Sequence, residues 1–329
     1  MGGLIGLLWL GVGGGALAIA AAELAPIWPI ADTASHFRPH LAIFVGTFAL
    51  AALPVGRWAI FIVGALASGW ATLAVTSTGS CEAPAGEGGG PAFSVLSFNI
   101  LASNLDLEDI EQRIREADAD AVILIEYGPV HTPLGTALAD IYPGQIDCAQ
   151  TRGCRMALMA RRPFTLAQTM GRDQGTPPIV SARFALGEPE ADSAAGDGAA
   201  PADEAEQAAA DSVGFTLVGT HLSRPFDGSG RWQARDVDSL IAAMAGLDGP
   251  LVVAGDFNAT PWSRSMRTIR ESTGLCGAAG YRPTWPVWLG ALGLPIDHIL
   301  VSPDLAVTAE TLPPAGSDHL PIRAVVTAR

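Results

Sequence analysis

The chain has 329 residues, a formal net charge of −14 and a mean hydropathy of +0.32. This length allows one large domain together with a smaller segment. The acidic balance argues against a general electrostatic attraction to nucleic acid, which normally needs a basic surface. It does not exclude a nuclease, because a bound divalent cation supplies positive charge locally.

Three apolar stretches within residues 1–78 predict a transmembrane anchor. The predicted helices cover residues 3–22, 39–55 and 58–77, and about 20 apolar residues are enough to cross a bilayer. A signal peptide is the alternative for the first helix, but no basic segment precedes it and more apolar stretches follow. A pair of buried core helices is the alternative for the other two.

The charge between the second and third apolar stretches predicts a topology. Arg57 is the only charged residue in the turn between them, and the positive-inside rule places such a turn in the cytoplasm. The loop between the first two helices and everything after residue 78 then lie outside. We therefore expect a multi-pass protein of the cell inner membrane whose globular domain faces the periplasm.

A change of composition separates this anchor from the rest of the chain. Residues 79–91 are rich in Gly, Pro and Ser, which indicates a linker. The remaining residues, 92–329, are long enough for one globular domain. Within them, residues 187–212 are dominated by Ala, Gly, Asp and Glu and contain no basic residue. This composition predicts a disordered acidic insertion.

Strands that alternate with helices predict an α/β fold for the globular domain. Helices are expected at 107–117 and 231–246, with a shorter one at 262–273. Six apolar runs predict buried strands, each of which carries or is followed by a polar side chain. These runs are 93–100 with Asn99, 121–126 with Glu126, 215–223 with His221, 251–254 followed by Asp256 and Asn258, 294–301 with Asp297, and 316–322 with Asp318 and His319.

The stretch from Leu251 to Pro261, LVVAGDFNATP, is the most informative of these. Alternate side chains of an extended chain point to the same side, so Asp256 and Asn258 are expected to face one pocket while Phe257 packs the other way. A carboxylate beside an amide suits a metal-bound phosphate and its attacking water. An Asx turn that closes a strand is the alternative interpretation.

Paired carboxylates at strand ends predict a divalent metal site for phosphate ester chemistry. A cation offsets the charge of a phosphodiester, and oxygen ligands favour Mg²⁺ or Mn²⁺. Glu126 is the first candidate ligand, because a carboxylate at the end of a buried strand is unfavourable unless it is paired or binds metal. Asp318 is the second candidate. For every such residue, an ordinary capping or turn residue is the alternative.

The remaining polar residues suit general acid–base chemistry. Asp297 is a carboxylate that can fix the orientation and basicity of His319. Asp256 is expected to orient or deprotonate the attacking water. Side-chain donors at the other strand ends are expected to bind phosphate oxygens; these are Asn99, Asn258 and His221.

The GDFN sequence at 255–258, the SDH sequence at 317–319 and the order of the polar strand ends resemble the endonuclease/exonuclease/phosphatase superfamily. The resemblance covers about residues 91–327 and implies a four-layer α/β sandwich of two packed mixed sheets flanked by helices. The segment His36-Phe37-Arg38-Pro39 is similar to one in a membrane-anchored bacterial branch.

The same resemblance implies a role for each matching residue. Metal binding is implied for Glu126 and Asp318, and for Asn99 beside Glu126. In-line attack of water on phosphorus is implied, and the catalytic residues are His221, Asp256, Asn258, Asp297 and His319. One departure is that Arg155 to Arg162 offers no acidic or Tyr side chain, which some branches supply on the leaving-group side.

The expected function is therefore a membrane-anchored phosphodiesterase that depends on Mg²⁺ or Mn²⁺. Its expected substrate is nucleic acid or a phospholipid head group, and Arg224 and Trp285 are candidate substrate-binding residues. The apolar loop that includes Trp285, Trp288 and Leu292 is expected either to enter a bilayer or to pack on the core. A phosphomonoesterase and a non-catalytic metal-binding membrane scaffold are the alternatives. No protein partner is predicted.

The cysteines give a weak indication of compartment. Cys148 and Cys154 flank a short polar loop, and this spacing is compatible with a disulfide in an oxidising compartment. A zinc site and two unrelated thiols are the alternatives.

Overall fold

The computed structural model describes residues 2–81, 92–151, 153–185, 214–278 and 280–329. The predicted acidic insertion and most of the predicted linker lie outside the described residues. The chain begins with four helices, which are α1 (Gly2–Ala22), α2 (Asp32–His36), α3 (Arg38–Ala51) and α4 (Trp58–Thr76).

Helices α1 and α4 are long and apolar enough to cross a membrane. Both present large apolar side chains outward, among them Leu10 and Leu66, which are 75% and 71% exposed. Helix α3 has 14 residues and is about 21 Å long at 1.5 Å per residue. It is shorter than the predicted span of 39–55, because the chain turns after Ala51.

Two mixed sheets of six strands each form the globular domain. The first sheet has the order β11-β12-β1-β2-β4-β3 and the second has the order β5-β6-β7-β8-β10-β9. The strands are β1 (Ala92–Asn99), β2 (Ala121–Ile125), β3 (Gly144–Asp147), β4 (Met156–Ala160), β5 (Thr165–Met170), β6 (Ile179–Ala185), β7 (Gly214–His221), β8 (Leu251–Asp256), β9 (Cys276–Gly277), β10 (Asp297–Val301), β11 (Leu305–Thr311) and β12 (Ile322–Ala328).

The main core lies between the two sheets, where Phe93 of β1 packs against Phe184 of β6 and Phe215 of β7. Helices cover both outer faces. They are α5 (Leu107–Ala117) and α6 (Pro133–Ala137) on the first sheet, and α7 (Arg231–Met244) and α8 (Arg264–Thr273) on the second. This arrangement confirms the predicted four-layer sandwich, and apolar helices precede it; that these helices form a transmembrane anchor stays a prediction.

Local sequence explains where the outer helices begin and end. The Asp106 carboxylate accepts a hydrogen bond from the Asp109 N–H at the start of α5, and the Ser263 hydroxyl does the same for the Met266 N–H in α8. Each of these bonds satisfies a donor that the helix itself leaves unpaired. Gly274 ends α8 in the left-handed conformation that glycine adopts without strain.

The last of the six predicted strands needs correction. Residues 316–321 form a loop, and β12 begins only at Ile322. Gly316 has a φ of +67°, and Pro321 has no N–H to donate to a strand ladder. Asp318 and His319 are therefore presented by a loop instead of by a strand.

The start of the predicted linker is fastened to the globular domain. Ser80 pairs with Gly277 of β9, and the Cys81 N–H donates to the Gly277 carbonyl at 2.9 Å. The segment that follows α4 thus lies against the edge of the second sheet.

All four cysteines form disulfides. Cys148 pairs with Cys154 across the predicted loop, with Cα atoms 5.7 Å apart. Cys81 pairs with Cys276 over a sequence separation of 195 residues, and this pairing was not predicted.

Candidate active site

Strand register brings the predicted polar residues to one edge of the sandwich. Strands β1 and β2 run parallel in the first sheet, with Asn99 opposite Ile125, so Glu126 follows directly beside Asn99. In the second sheet, Asp256 lies opposite His221 on one side and Asp297 on the other. The parallel pair β1–β2 in the first sheet therefore places Asn99 and Glu126 at this edge, and the parallel pair β7–β8 in the second sheet places His221 and Asp256 there.

Asn99 connects the two sheets at this edge. Its Nδ2 atom lies 3.4 Å from Glu126 Oε1 and 3.1 Å from Asp256 Oδ2. Its Oδ1 atom accepts a hydrogen bond from the Leu101 N–H at 3.1 Å. Asn99 thus presents donors to both carboxylates, and its proposed metal contact stays a prediction.

Glu126 is held in a restrained conformation. It has a φ of +62°, which is uncommon for a residue other than glycine. Its Oε2 atom accepts from the Ala102 N–H at 2.7 Å. The carboxylate is thereby fixed at the end of β2 instead of turning into solvent.

His319 and Asp297 form a buried pair. The Nδ1 atom of His319 lies 2.9 Å from Asp297 Oδ2, and its Nε2 atom lies 3.8 Å from Asp256 Oδ2. The Nε2 atom of His221 lies 3.5 Å from the same Asp256 oxygen. Asp256 therefore lies between two imidazoles that approach it from different parts of the fold.

The backbone around Asp256 explains why glycine precedes it. A Cβ atom at Gly255 would collide with the carbonyl oxygen of Thr220 in the neighbouring strand. The N–H of Asn258 donates to Asp256 Oδ1 at 2.8 Å, and its Nδ2 atom donates to the Leu222 carbonyl at 2.9 Å. Both residues line one cavity, whereas Phe257 packs into the core under α7 and α8. The three side chains alternate as their spacing predicts.

The loop of Asp318 joins the site from the other side. The Trp285 Nε1–H donates to Asp318 Oδ2 at 2.9 Å. Asp318 Oδ1 is buried and has no hydrogen-bond partner among the described residues. A buried carboxylate oxygen without a donor is unfavourable, so this atom is suited to a cation.

Most of the predicted site residues share one cavity of about 350 Å³. Asn99 and Asp297 lie behind its wall, bonded to residues that line it. The predicted residues that line the cavity are Glu126, His221, Arg224, Asp256, Asn258, Trp285, Asp318 and His319.

Burial and neighbouring charges shift the pKa values of Glu126, Asp256 and His319 in different directions. Burial opposes ionisation of Glu126, but the Ala102 N–H and the nearby imidazoles outweigh it and lower the pKa of Glu126. Burial, and then the charge of Asp297, raise the pKa of Asp256. Burial opposes protonation of His319, yet Asp297 and Asp256 outweigh it and raise the pKa of His319 to about 10. The site thus combines an ionised Glu126, an imidazolium and a carboxylate with increased proton affinity.

Two groups of side chains could hold a metal ion. Asp256, Asp297 and His319 offer ligand atoms within 4.8 Å of one another. However, the Nδ1 atom of His319 already bonds Asp297, so only its Nε2 atom remains for a cation. Glu126 and Asp318 also line the cavity, and one oxygen of Asp318 has no hydrogen-bond partner among the described residues, so these two carboxylates are a second candidate group.

Some supporting residues were not predicted. The Arg172 guanidinium pairs with Asp236 at 2.9 Å and donates to the His221 carbonyl at 3.3 Å. Asp236 also accepts from the Ser223 N–H at 2.8 Å. These contacts fix the loop of His221, but they join distant segments and leave no local sequence motif. Residues from between α1 and α3 also line the cavity, namely Thr33, His36 and Phe37.

Comparisons with known proteins identify a family and a fold. The sequence profile of the endonuclease/exonuclease/phosphatase family matches residues 96–319. No curated protein matches the sequence.

Several solved structures share the fold. TDP2 from D. rerio, complexed with a single-strand DNA product, is 14% identical over 72% of this chain and 99% of its own, with a TM-score of 0.54. The catalytic domain of human Nocturnin with bound sulfate is 19% identical over 74% of this chain and 96% of its own, with a TM-score of 0.51. A variant of beta toxin from Staphylococcus aureus with bound magnesium ions is 14% identical over 72% of this chain and 99% of its own, with a TM-score of 0.50.

Proposed function

Because the chain belongs to the endonuclease/exonuclease/phosphatase family of hydrolases, we propose that it is a membrane-anchored phosphodiesterase that depends on Mg²⁺ or Mn²⁺. The observation that carries the proposal is the bond between His319 and Asp297 beside Asp256, within the cavity that Glu126 and Asp318 also line. A buried imidazolium next to a second pair of carboxylates suits an anionic substrate that a cation helps to bind.

Glu126 and Asp318 would hold the metal ion, with Asn99 orienting Glu126. When bound, the ion supplies positive charge that offsets the charge of the phosphate and of the departing alkoxide. The S. aureus beta toxin variant of the same fold contains magnesium ions, which supports this choice of cation.

The chain's own residues account for the activation of water. Asp256 has a raised pKa and lies at the centre of the site, so it accepts a proton from water as the new P–O bond forms. His319, held as an imidazolium by Asp297, and His221 donate to phosphate oxygens. The old P–O ester bond breaks, and the alcohol leaves with a proton from solvent. Asn258 fixes Asp256 through its backbone N–H.

Two substrate classes are supported by different observations. The structure of TDP2 from D. rerio with a single-strand DNA product supports a nuclease. The net charge of −14 weighs against tight binding of nucleic acid, and the apolar helices that precede the domain support a phospholipid head group. Arg224 and Trp285 line the cavity and are the proposed contacts to either substrate.

The proposed anchor would hold the site outside the cytoplasm. Glu23, directly after α1, accepts a hydrogen bond from the Trp70 indole near the end of α4, so the segment that follows each of these helices lies at one end of the anchor. The turn of Arg57 lies at the other end, and the positive-inside rule assigns it to the cytoplasm. The two disulfides suit the periplasm.

Turnover of bis-p-nitrophenyl phosphate by the full chain in detergent tests the proposal. We expect hydrolysis with Mg²⁺ or Mn²⁺, its loss with EDTA and its loss in His319→Ala. Turnover that persists in EDTA or in the variant would refute the proposed mechanism.

A further inference from the structure

The segment between α1 and α3 forms part of the wall of the active-site cavity. Thr33, His36 and Phe37 line the same cavity as Glu126 and His319. The Thr33 hydroxyl also lies 3.5 Å from the Pro225 carbonyl, beside the loop of Arg224. The proposed membrane anchor therefore contributes side chains to the active-site cavity in addition to holding the domain at the membrane.

Specific hydrogen bonds fasten this segment to the globular domain. The buried Asp32 carboxylate accepts from the Arg264 N–H at 2.8 Å and the Ser265 N–H at 3.1 Å, so it caps α8 from outside that helix. The Trp262 indole N–H donates to the Ser35 carbonyl at 2.8 Å. Backbone donors and a buried indole would lose their partners if the segment were removed.

Close backbone packing completes the attachment. Gly230 has a φ of +80°, and a Cβ atom there would lie 2.6 Å from the backbone carbon of Pro29. Only glycine fits this approach, because another side chain would be strained and would push Pro29 away. The globular domain and the segment between α1 and α3 therefore both have the local shape that this contact needs.

The hydrogen bonds of His36 determine its tautomer. Its Nδ1 atom accepts from the Thr260 N–H at 3.1 Å, and a backbone amide can only donate. Burial lowers the pKa of His36 although Asp32 opposes this, so the ring is neutral and its proton lies on Nε2. That Nε2 atom is buried and has no hydrogen-bond partner within the described part of the chain.

We infer that His36 is a substrate-binding residue whose Nε2–H donates to an oxygen of a phospholipid phosphodiester drawn into the cavity. The inference rests on the proposed function and adds a contact from the membrane anchor to it. A buried donor without an acceptor is unfavourable, and an incoming phosphate or ester oxygen supplies the acceptor. His36 is 2% exposed and its Nδ1 atom is bonded to the Thr260 N–H, so the orientation of this donor is fixed in the wall.

The surroundings of the cavity select a lipid over a nucleic acid. Apolar side chains line it together with the carboxylates, namely Phe37, Trp285, Leu294 and Ile296. The adjoining loop 287–292 is outward-facing and apolar, with Trp288 79% exposed and Leu292 60% exposed. The Nε2 atom of His40 at the start of α3 lies 2.8 Å from the Leu292 carbonyl. The cavity thus lies where the apolar helices meet the domain, at the depth of lipid head groups when the helices cross a bilayer.

The test uses full-length protein in nanodiscs and three histidine variants. His36→Asn keeps an acceptor for the Thr260 N–H but removes the ring donor, and His36→Gln restores a donor at the position of Nε2. His131→Asn is the matched control, because His131 is buried and bonds the Gly128 N–H and the Asn104 carbonyl through its two ring nitrogens. Phosphatidylglycerol at varied mole fraction in the nanodisc bilayer, a single-stranded oligonucleotide and bis-p-nitrophenyl phosphate are the substrates.

We expect His36→Asn to raise KM for the phospholipid about three- to tenfold, as loss of one hydrogen bond does, with partial recovery in His36→Gln. Titration of inorganic phosphate in Mg²⁺ should show a similar loss of affinity, and this readout needs no turnover. An unchanged KM and unchanged phosphate affinity would overturn the role of His36. Preferred cleavage of the oligonucleotide would overturn the lipid assignment. Absence of any hydrolysis by the wild type would instead refute the proposed function, with the phosphate titration still testing His36.

Discussion

The imidazole of His319 donates from Nδ1 to Asp297 Oδ2 across 2.9 Å, and both side chains are buried. Asp297 begins β10, whereas His319 lies in the loop before β12, so strands of both sheets must be in place for the pair to form. The pair is consequently a sensitive indicator of whether the site is assembled.

Replacing Asp297 by Asn tests the role of its charge. In Asp297→Asn a carbonyl oxygen still accepts the His319 N–H, but the charge that stabilises the imidazolium is lost. We expect kcat to fall about 100-fold or more, with little change in melting temperature. Steady-state hydrolysis of bis-p-nitrophenyl phosphate measures the effect. The exposed Asp304 provides the control Asp304→Asn, and equal losses in both variants would contradict the assigned role.

Metal binding distinguishes the two candidate groups of ligands. Titration of Mn²⁺ followed by electron paramagnetic resonance should show affinity reduced at least about tenfold in Glu126→Gln, because one of few carboxylate ligands is removed. Asp297→Asn should bind Mn²⁺ nearly as the wild type does. The reverse order of effects would place the ion among Asp256, Asp297 and His319.

The docking of the anchor segment predicts a loss of stability in Asp32→Ala. Asp32 is 4% exposed and accepts from two N–H groups of α8, so its removal should cost about 1–2 kcal/mol. Thermal unfolding of the full chain measures this. Asp106→Ala removes an exposed cap from α5 and should cost less. Equal small effects would show that the segment does not dock as described.

The disulfides predict a measurable pattern of cysteine pairing. Peptide mapping of protein from the membrane fraction without reductant should recover Cys81 joined to Cys276 and Cys148 joined to Cys154. Loss of the Cys81–Cys276 bond should cost roughly 2–5 kcal/mol, because it closes a long loop. Free thiols at all four positions would contradict a periplasmic location.

His298 predicts an acid-sensitive step in stability. Burial lowers the pKa of His298 to about 4, although its bond to the Ala259 carbonyl opposes the shift. The unfolded chain binds the proton more readily than the folded chain. The contribution of neutral His298 to the free energy of unfolding is therefore fully present above the ordinary pKa of 6.5, and it decreases as pH falls from 6.5 towards 4. The melting temperature of His298→Gln should fall less over this range. An identical pH dependence of the melting temperature in both proteins would show that His298 does not cause the loss of stability in acid.

Sequence patterns predicted the parts of the site that are locally encoded. Asp256 ends an apolar strand and Asn258 follows it, and both line one cavity as their spacing predicts. Strand β5 was not predicted, because it is exposed along most of its length and has no apolar run. The Cys81–Cys276 bond joins residues 195 positions apart, and the packing of His36 against Thr260 depends on the whole fold. Such contacts leave no periodic signal in either segment.

Hydrolysis in ¹⁸O-labelled water tests the central claim most directly. The full chain with Mg²⁺ and bis-p-nitrophenyl phosphate should yield p-nitrophenyl phosphate that carries one ¹⁸O atom and p-nitrophenol that carries none, because water attacks phosphorus. Asp256→Asn should give little product. Label in the p-nitrophenol, or no metal-dependent product from the wild type, would contradict the account.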